Sequence, residues 1–211
     1  VLVGAVQAPE RSGTIGLYRN SVLWIEPGRG IVESFDKTHA VPLVESGRSA
    51  PLASLLGLSG LGRFVEEGSV QRPFQAGAAE LAVALCYEVL FPGLVAARRT
   101  PATLAILNLA NDSWFPAETP SLQQVAFASF RAIEQRLSLV RVAHGGISAV
   151  IDPYGRVQAS LAFVASGTLR TSLLNSPPAS LVERAALLAL LGLCGLLGYG
   201  IAAALTRRRH S

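Results

Sequence analysis

Apolar positions along the chain fall in short runs rather than in strict alternation. Val1–Val6, Val22–Ile25, Leu81–Cys86, Leu104–Leu109, Leu139–Ala143, Ile147–Ile151 and Leu169–Leu173 each read as a strand, and Ile31–Phe35 is strand-like as well. Continuous runs of this length are the mark of strands buried on both faces. Turn signals separate them at Pro27-Gly28-Arg29-Gly30 and Pro153-Tyr154-Gly155, and Gly145-Gly146 could close a hairpin between the runs at 139–143 and 147–151. The period changes to 3.6 over Pro120–Arg136, where Val125, Ala128, Ser129, Ala132 and Ile133 share one face of a helix. A second helix is expected over Gly93–Arg99, and Ser49–Gly62, rich in Leu, Gly and Ser, reads as a lid-like loop. Strands buried on both sides and alternating with helices predict an α/β layered fold with the helices outside the sheets.

The pattern changes again near the end. Ala185–Leu205 holds 21 residues without a charge, enough for about 30 Å of helix and so for one membrane crossing. Arg207, Arg208 and Arg209 follow it, which by the positive-inside rule puts the carboxyl end in the cytoplasm. The globular part is then expected on the opposite side, the periplasm of a diderm bacterium. The expected organisation is a domain over residues 1–178 closed by the linker Ser176-Pro177-Pro178, a membrane helix over 183–206, and a basic tail at 207–211. Gly192, Gly195, Gly198 and Gly200 form a small-residue path that another helix could approach, though glycine is common in membrane helices anyway. Cys194, in mid-span, is expected to pack rather than react.

Composition narrows the function. Half of the 211 residues are hydrophobic and 15% are charged, against roughly 25% charged in an ordinary soluble domain. The net charge of +4 comes from scattered basic residues, with no basic stripe carrying aromatic platforms, so nucleic acid is not the expected partner. Two cysteines 108 positions apart, with no CxxC and no Cys/His cluster, argue against zinc and against a disulfide framework. The chain lacks methionine even at its first position and opens directly on an apolar strand, which reads as a piece of a longer protein.

Three stretches could carry chemistry. Cys86 stops an apolar strand just before Tyr87-Glu88, and the carboxyl edge of a sheet is where α/β proteins place their sites. A cysteine there is a candidate nucleophile, although one in an apolar run is often plain core. Lys37 follows a strand in Asp36-Lys37-Thr38-His39-Ala40-Val41-Pro42, with Glu45 eight positions on. A lysine beside a cysteine lowers the thiol pKa and can hold a developing oxyanion, while a lysine after a strand is otherwise a solvated end residue. Asn111-Asp112-Ser113-Trp114-Phe115 follows another strand end and suits either a polar loop with an aromatic cap or a plain turn.

Taken in order, Lys-Thr-His-x-Val-Pro-x-x-Glu at Lys37–Glu45, Cys-Tyr-Glu at Cys86–Glu88 and Asn-Asp-x-Trp-Phe at Asn111–Phe115 resemble the nitrilase superfamily. They look most like its apolipoprotein N-acyltransferase branch, as do Arg131-Ala132-Ile133-Glu134, Gly146–Ile151 and the closing apolar segment. The resemblance implies part of a nitrilase-like α-β-β-α sandwich followed by one membrane helix, in a bacterial inner membrane. It implies two-step acyl transfer without metal or organic cofactor. Cys86 would take an acyl chain from a membrane phospholipid as a thioester, and the N-terminal amine of a diacylglyceryl-apolipoprotein would then accept it. Lys37 would hold the tetrahedral oxyanion, Glu45 would orient Lys37 or relay a proton, and Glu88 would support the site electrostatically. Tyr87, Trp114 and Phe115 would contact substrate.

The chain departs from that pattern in places. The branch's general base is a glutamate several dozen residues before the lysine; Glu10 is 27 residues before Lys37 and follows a strand that matches a later one. The base is therefore expected outside this chain, leaving the chain alone inactive. Pro116 stands where a glycine is usual, and His144-Gly145 where amide side chains are usual, with His144 expected to be structural. Two other functions remain open: a membrane-anchored amidase using the same Cys86 and Lys37 with water as acceptor, and a non-catalytic binding module with a degenerate site.

Overall fold

The computed structural model of the chain describes residues 1–8, 18–42, 45–46, 55, 65–69, 72–174 and 192. Two compact units are formed, Val1–Ser176 and Pro177–Ser211. The expected membrane helix (apart from Gly192) and the basic tail lie outside the described residues, as do Glu10 and all of the expected lid-like loop but Leu55. Among the described residues, no helix is long and apolar enough to cross a membrane.

Three strands make an antiparallel sheet in the order β1 (Leu2–Gln7), β2 (Arg19–Glu26) and β3 (Gly30–Asp36). Six more make a mixed sheet in chain order: β4 (Phe74–Ala76), β5 (Ala79–Leu85), β6 (Thr103–Asn111), β7 (Ser138–His144), β8 (Ser148–Ile151) and β9 (Val157–Leu161). Its centre, β5-β6-β7, is parallel and its flanks are antiparallel. Helices α1 (Pro92–Ala97) and α2 (Thr119–Gln135) supply the crossovers. Each has a proline in its first turn, where the missing N–H has no helical partner to lose.

The apolar runs are explained by what lies on each face. Leu81, Val83 and Leu85 of β5, with Ala105 and Leu107 of β6, meet Val22 and Phe35 of the smaller sheet in one core layer. The alternate residues Ala82, Ala84 and Ile106 meet Ala128 and Ala132 of α2 in the other. A buried leucine or phenylalanine contributes about 1.5–3 kcal/mol relative to exposure, so Leu85 and Phe74, buried in the first layer, help fix how the sheets stack. Alanine on both sides of the second layer lets α2 approach the sheet closely. Among the described residues both helices pack on the six-stranded sheet, which gives the β-β-α part of the expected sandwich.

One expected strand fails. Leu169–Leu173 has no regular structure. The backbone at Leu174 is held by a side chain instead: its N–H donates to Ser138 Oγ, and that hydroxyl donates back to its carbonyl, both at 3.1 Å. The segment lies mostly exposed, with Leu173 against the inter-sheet layer. The short strands β4 and β9 escape the apolar-run criterion, and Cys86 starts a 3₁₀ helix, Cys86–Leu90, rather than ending β5.

Candidate active site

The turn after β5 is strained. Cys86 sits at φ 48°, in the left-handed region, which costs a side-chain-bearing residue roughly 1–2 kcal/mol. Such a conformation persists only where its surroundings over-determine it. Here the fastening is Glu88, fully buried two residues on. Its Oε2 accepts the N–H of Leu85 at 2.9 Å, just before the turn. Its Oε1 accepts the N–H groups of Thr38 and His39 at 2.8 and 3.0 Å and the Thr38 hydroxyl at 3.0 Å. Arg98, equally buried, closes the pair with contacts of 2.8 and 2.9 Å and donates also to the Val83 carbonyl at 2.8 Å. Burial alone pushes the Glu88 carboxyl up, but the hydrogen bonds and charge of Arg98 and the backbone N–H donors outweigh it and hold the group below the ordinary range.

Through Glu88 the cysteine turn is joined to the loop that begins with Lys37. The Lys37 N–H donates to Asn20 O of β2 at 2.8 Å, and its fully buried ammonium reaches Glu45 Oε2 at 2.5 Å. The same carboxylate oxygen accepts the Val41 N–H at 2.8 Å. The eight-residue spacing across Pro42 thus closes on itself and brings Glu45 back beside Lys37. Burial pushes the Cys86 thiol above its ordinary value; the Lys37 charge pulls it back, Glu45 and Asp112 push it up, and Arg141 pulls it down.

Cys86 lines an open cavity of roughly 520 Å³ together with Glu45, Asn111, Trp114 and His144, and Val41, Val65 and Leu109 give it apolar walls. Of the residues singled out in the sequence, Cys86, Glu45 and Trp114 reach this wall. Lys37 stands behind Glu45. Glu88 lies behind the turn, inside the protein. Tyr87 packs edge-on against Phe91 with ring centres 5.0 Å apart, and Phe115 stacks on Trp114 at 4.9 Å. Trp114 is steadied by its ring N–H, which donates to Asn111 O at 2.8 Å. Among the described residues, no group of three or more His, Cys, Asp or Glu is placed to hold a metal ion.

Sequence reading missed Asn108 and Arg141, polar residues inside the strand runs of β6 and β7 that are buried beside the cysteine turn. Their signal was present as single polar breaks in apolar runs. His144, expected to be structural, closes β7 with its side chain exposed on the cavity wall.

The carbon–nitrogen hydrolase family model matches residues 1–173. The chain is 38% identical over 191 residues to an apolipoprotein N-acyltransferase of Bradyrhizobium diazoefficiens, covering 87% of this chain and 35% of that one. A protein of the same name from Brucella melitensis is 36% identical over 190 residues, covering 84% of this chain and 34% of that one. This chain thus spans about a third of the length of the curated relatives it matches. In fold it is similar to a carbon–nitrogen hydrolase from Helicobacter pylori G27, with a TM-score of 0.57 at 13% identity over 77% of this chain and 58% of that one. It is similar also to Nit3 of Saccharomyces cerevisiae, a member of branch 10 of the nitrilase superfamily, with a TM-score of 0.55 at 17% identity over 76% and 55%. By the family match and by the layered sheets that carry Cys86, the chain belongs to the carbon–nitrogen hydrolase family.

Proposed function

We propose that this chain carries the nucleophile and oxyanion-holding part of a membrane acyltransferase that N-acylates lipoproteins. The observation that supports it most is the strained Cys86 on the wall of an apolar-sided cavity that it shares with Glu45, the carboxylate that holds the buried Lys37 ammonium. In the first step the Cys86 thiolate attacks the ester carbonyl of a phospholipid acyl chain. The bond to the glycerol oxygen breaks, a lysophospholipid leaves with a proton, and a thioester remains. In the second, the terminal amine of a diacylglyceryl-apolipoprotein attacks that thioester; the C–S bond breaks, an amide forms, and the thiol is regenerated. Lys37 holds the oxyanion of both tetrahedral intermediates, and Glu45 aims Lys37. Glu88 shapes the turn from behind, Trp114, backed by Phe115, borders the acyl path, and Tyr87 contacts substrate. The thiol proton goes to a carboxylate from a part of the protein other than the described residues. The apolar segment Ala185–Leu205 anchors this domain to the periplasmic face of the inner membrane.

The test is to incubate the complete protein with a phospholipid whose acyl chain bears an alkyne. Hydroxylamine-labile label on the Cys86 peptide, passed on to a diacylglyceryl lipopeptide, is the expected result. Persistent labile label in Cys86→Ala would falsify the assignment. Lys37→Met should slow acylation by about 10²-fold or more, the loss expected for one oxyanion donor; normal acylation would remove its role.

A further inference from the structure

Ala84, Asn108 and Arg141 are register partners on three neighbouring parallel strands, so they form one row across the sheet on the side that faces α2. Ala84 leaves room for the Asn108 amide, whose Nδ2 donates to Ala84 O at 2.7 Å and reaches Cys86 O at 3.4 Å. Arg141 fixes which way that amide points, because its Nη1 donates to Asn108 Oδ1 at 2.5 Å. The same Nη1 reaches Gln124 of α2 at 3.1 Å, and Nε donates to Ile147 O at 3.2 Å. Nη2 donates to Asp112 Oδ2 at 2.6 Å, and both side chains of this ion pair are fully buried.

Asp112 lies in the loop that carries Trp114, and its N–H donates to His144 O at 2.8 Å. Its Oδ2 also accepts the Ser121 hydroxyl at 2.7 Å, and that hydroxyl accepts the Ile147 N–H at 2.9 Å. Gly145-Gly146 makes this contact possible. Gly145 is at φ +70° with Ser113 backbone against it, and a Cβ on Gly146 would stand 2.2 Å from Asp112 Oδ2. One guanidinium therefore ties together the nucleophile's turn, the Trp114 loop and the hairpin behind His144.

We propose that Arg141 and Asp112 form a charge-balanced positioning pair for Cys86, fixing its carbonyl through Asn108 and setting the reactivity of its thiol. The proposal rests on the reading of Cys86 as nucleophile. The charged groups that act on the thiol are Lys37 and Glu45 from the loop after β3, Asp112 from the loop after β6 and Arg141 from β7, and His144 shares the cavity wall. Glu88, on the thiol's own turn, is closed off by Arg98.

The experiment is the pH profile of iodoacetamide alkylation at Cys86, read on the Cys86 peptide by mass spectrometry in the complete protein. It needs no acyl transfer, so its failure and the failure of the acyltransferase reading are distinguishable. Asp112→Asn should move the profile to lower pH and speed alkylation at neutral pH several-fold. Arg141→Gln should move it to higher pH and slow alkylation by a similar factor. The double variant should return close to the wild-type profile. Shifts of the same sign in the two single variants, or no shift, overturn the proposal, because simple loosening of the fold moves both alike. Should Arg141→Gln fail to fold, Asp112→Asn decides alone: a profile that stays or moves upward overturns it.

Discussion

Glu45 and Glu88 look equivalent in the sequence, each an acid beside a motif residue, yet the fold gives them opposite tasks. Glu88 is fully buried and accepts six hydrogen bonds, two of them from Arg98. With every lone pair occupied it has no capacity left to handle a proton, and its charge is spent on Arg98. Glu45 is 19% exposed at its side chain, meets the cavity, and among the described residues accepts two hydrogen bonds on one oxygen, leaving the other open. A saturated carboxylate is a strut, whereas an unsaturated one at a cavity wall can act on what enters.

The largest effect should come from breaking the strut. Glu88→Gln removes the negative half of a fully buried ion pair, which costs about 3–5 kcal/mol and should lower the midpoint of thermal unfolding by on the order of 10 °C. A loss below about 1 kcal/mol would erase the difference between the two acids. Next comes acid. Because folding lowers the Glu88 pKa, its contribution is complete above the unfolded value of 4.5 and is lost as pH falls through the folded value. Denaturant midpoints of the wild type should therefore decline below that pH, and Glu88→Gln should decline less steeply. The smaller change in stability belongs to Glu45→Gln: it takes this carboxylate from the buried Lys37 ammonium, but at a side chain that water still reaches, so the loss should fall below that of Glu88→Gln. Its mark is chemical: removing a carboxylate that pushes the Cys86 thiol up should quicken alkylation at neutral pH. A melting loss equal to that of Glu88→Gln would make Glu45 a second strut.

The sequence disclosed the layers better than the site. Apolar runs placed most strands because burial on both faces leaves little polar alternation to obscure them. It failed where that logic fails. The strand β9, Val-Gln-Ala-Ser-Leu, carries polar side chains at two of its five positions, and Leu169–Leu173 is Leu-Arg-Thr-Ser-Leu, apolar only at its ends, with the neighbouring Leu174 held by a hydroxyl rather than by a ladder. Cys86, Lys37 and Glu45 were marked by strand ends and then by motif resemblance, and the fold then brought them to one place. Nothing local marked Asn108 and Arg141 as neighbours. Only the parallel register of β6 with β7 sets them side by side, and register between strands 33 positions apart is a tertiary property. Asp112 was visible within its motif, but its partner was not.

The left-handed backbone at Cys86 puts folding and chemistry at odds. Glycine is the residue that this turn would accept without penalty. The thiol is retained against a standing preference of the backbone, so a population screened only for robustness would drift toward losing it. Durable but inert descendants are the expected fate of this position wherever its activity is no longer selected.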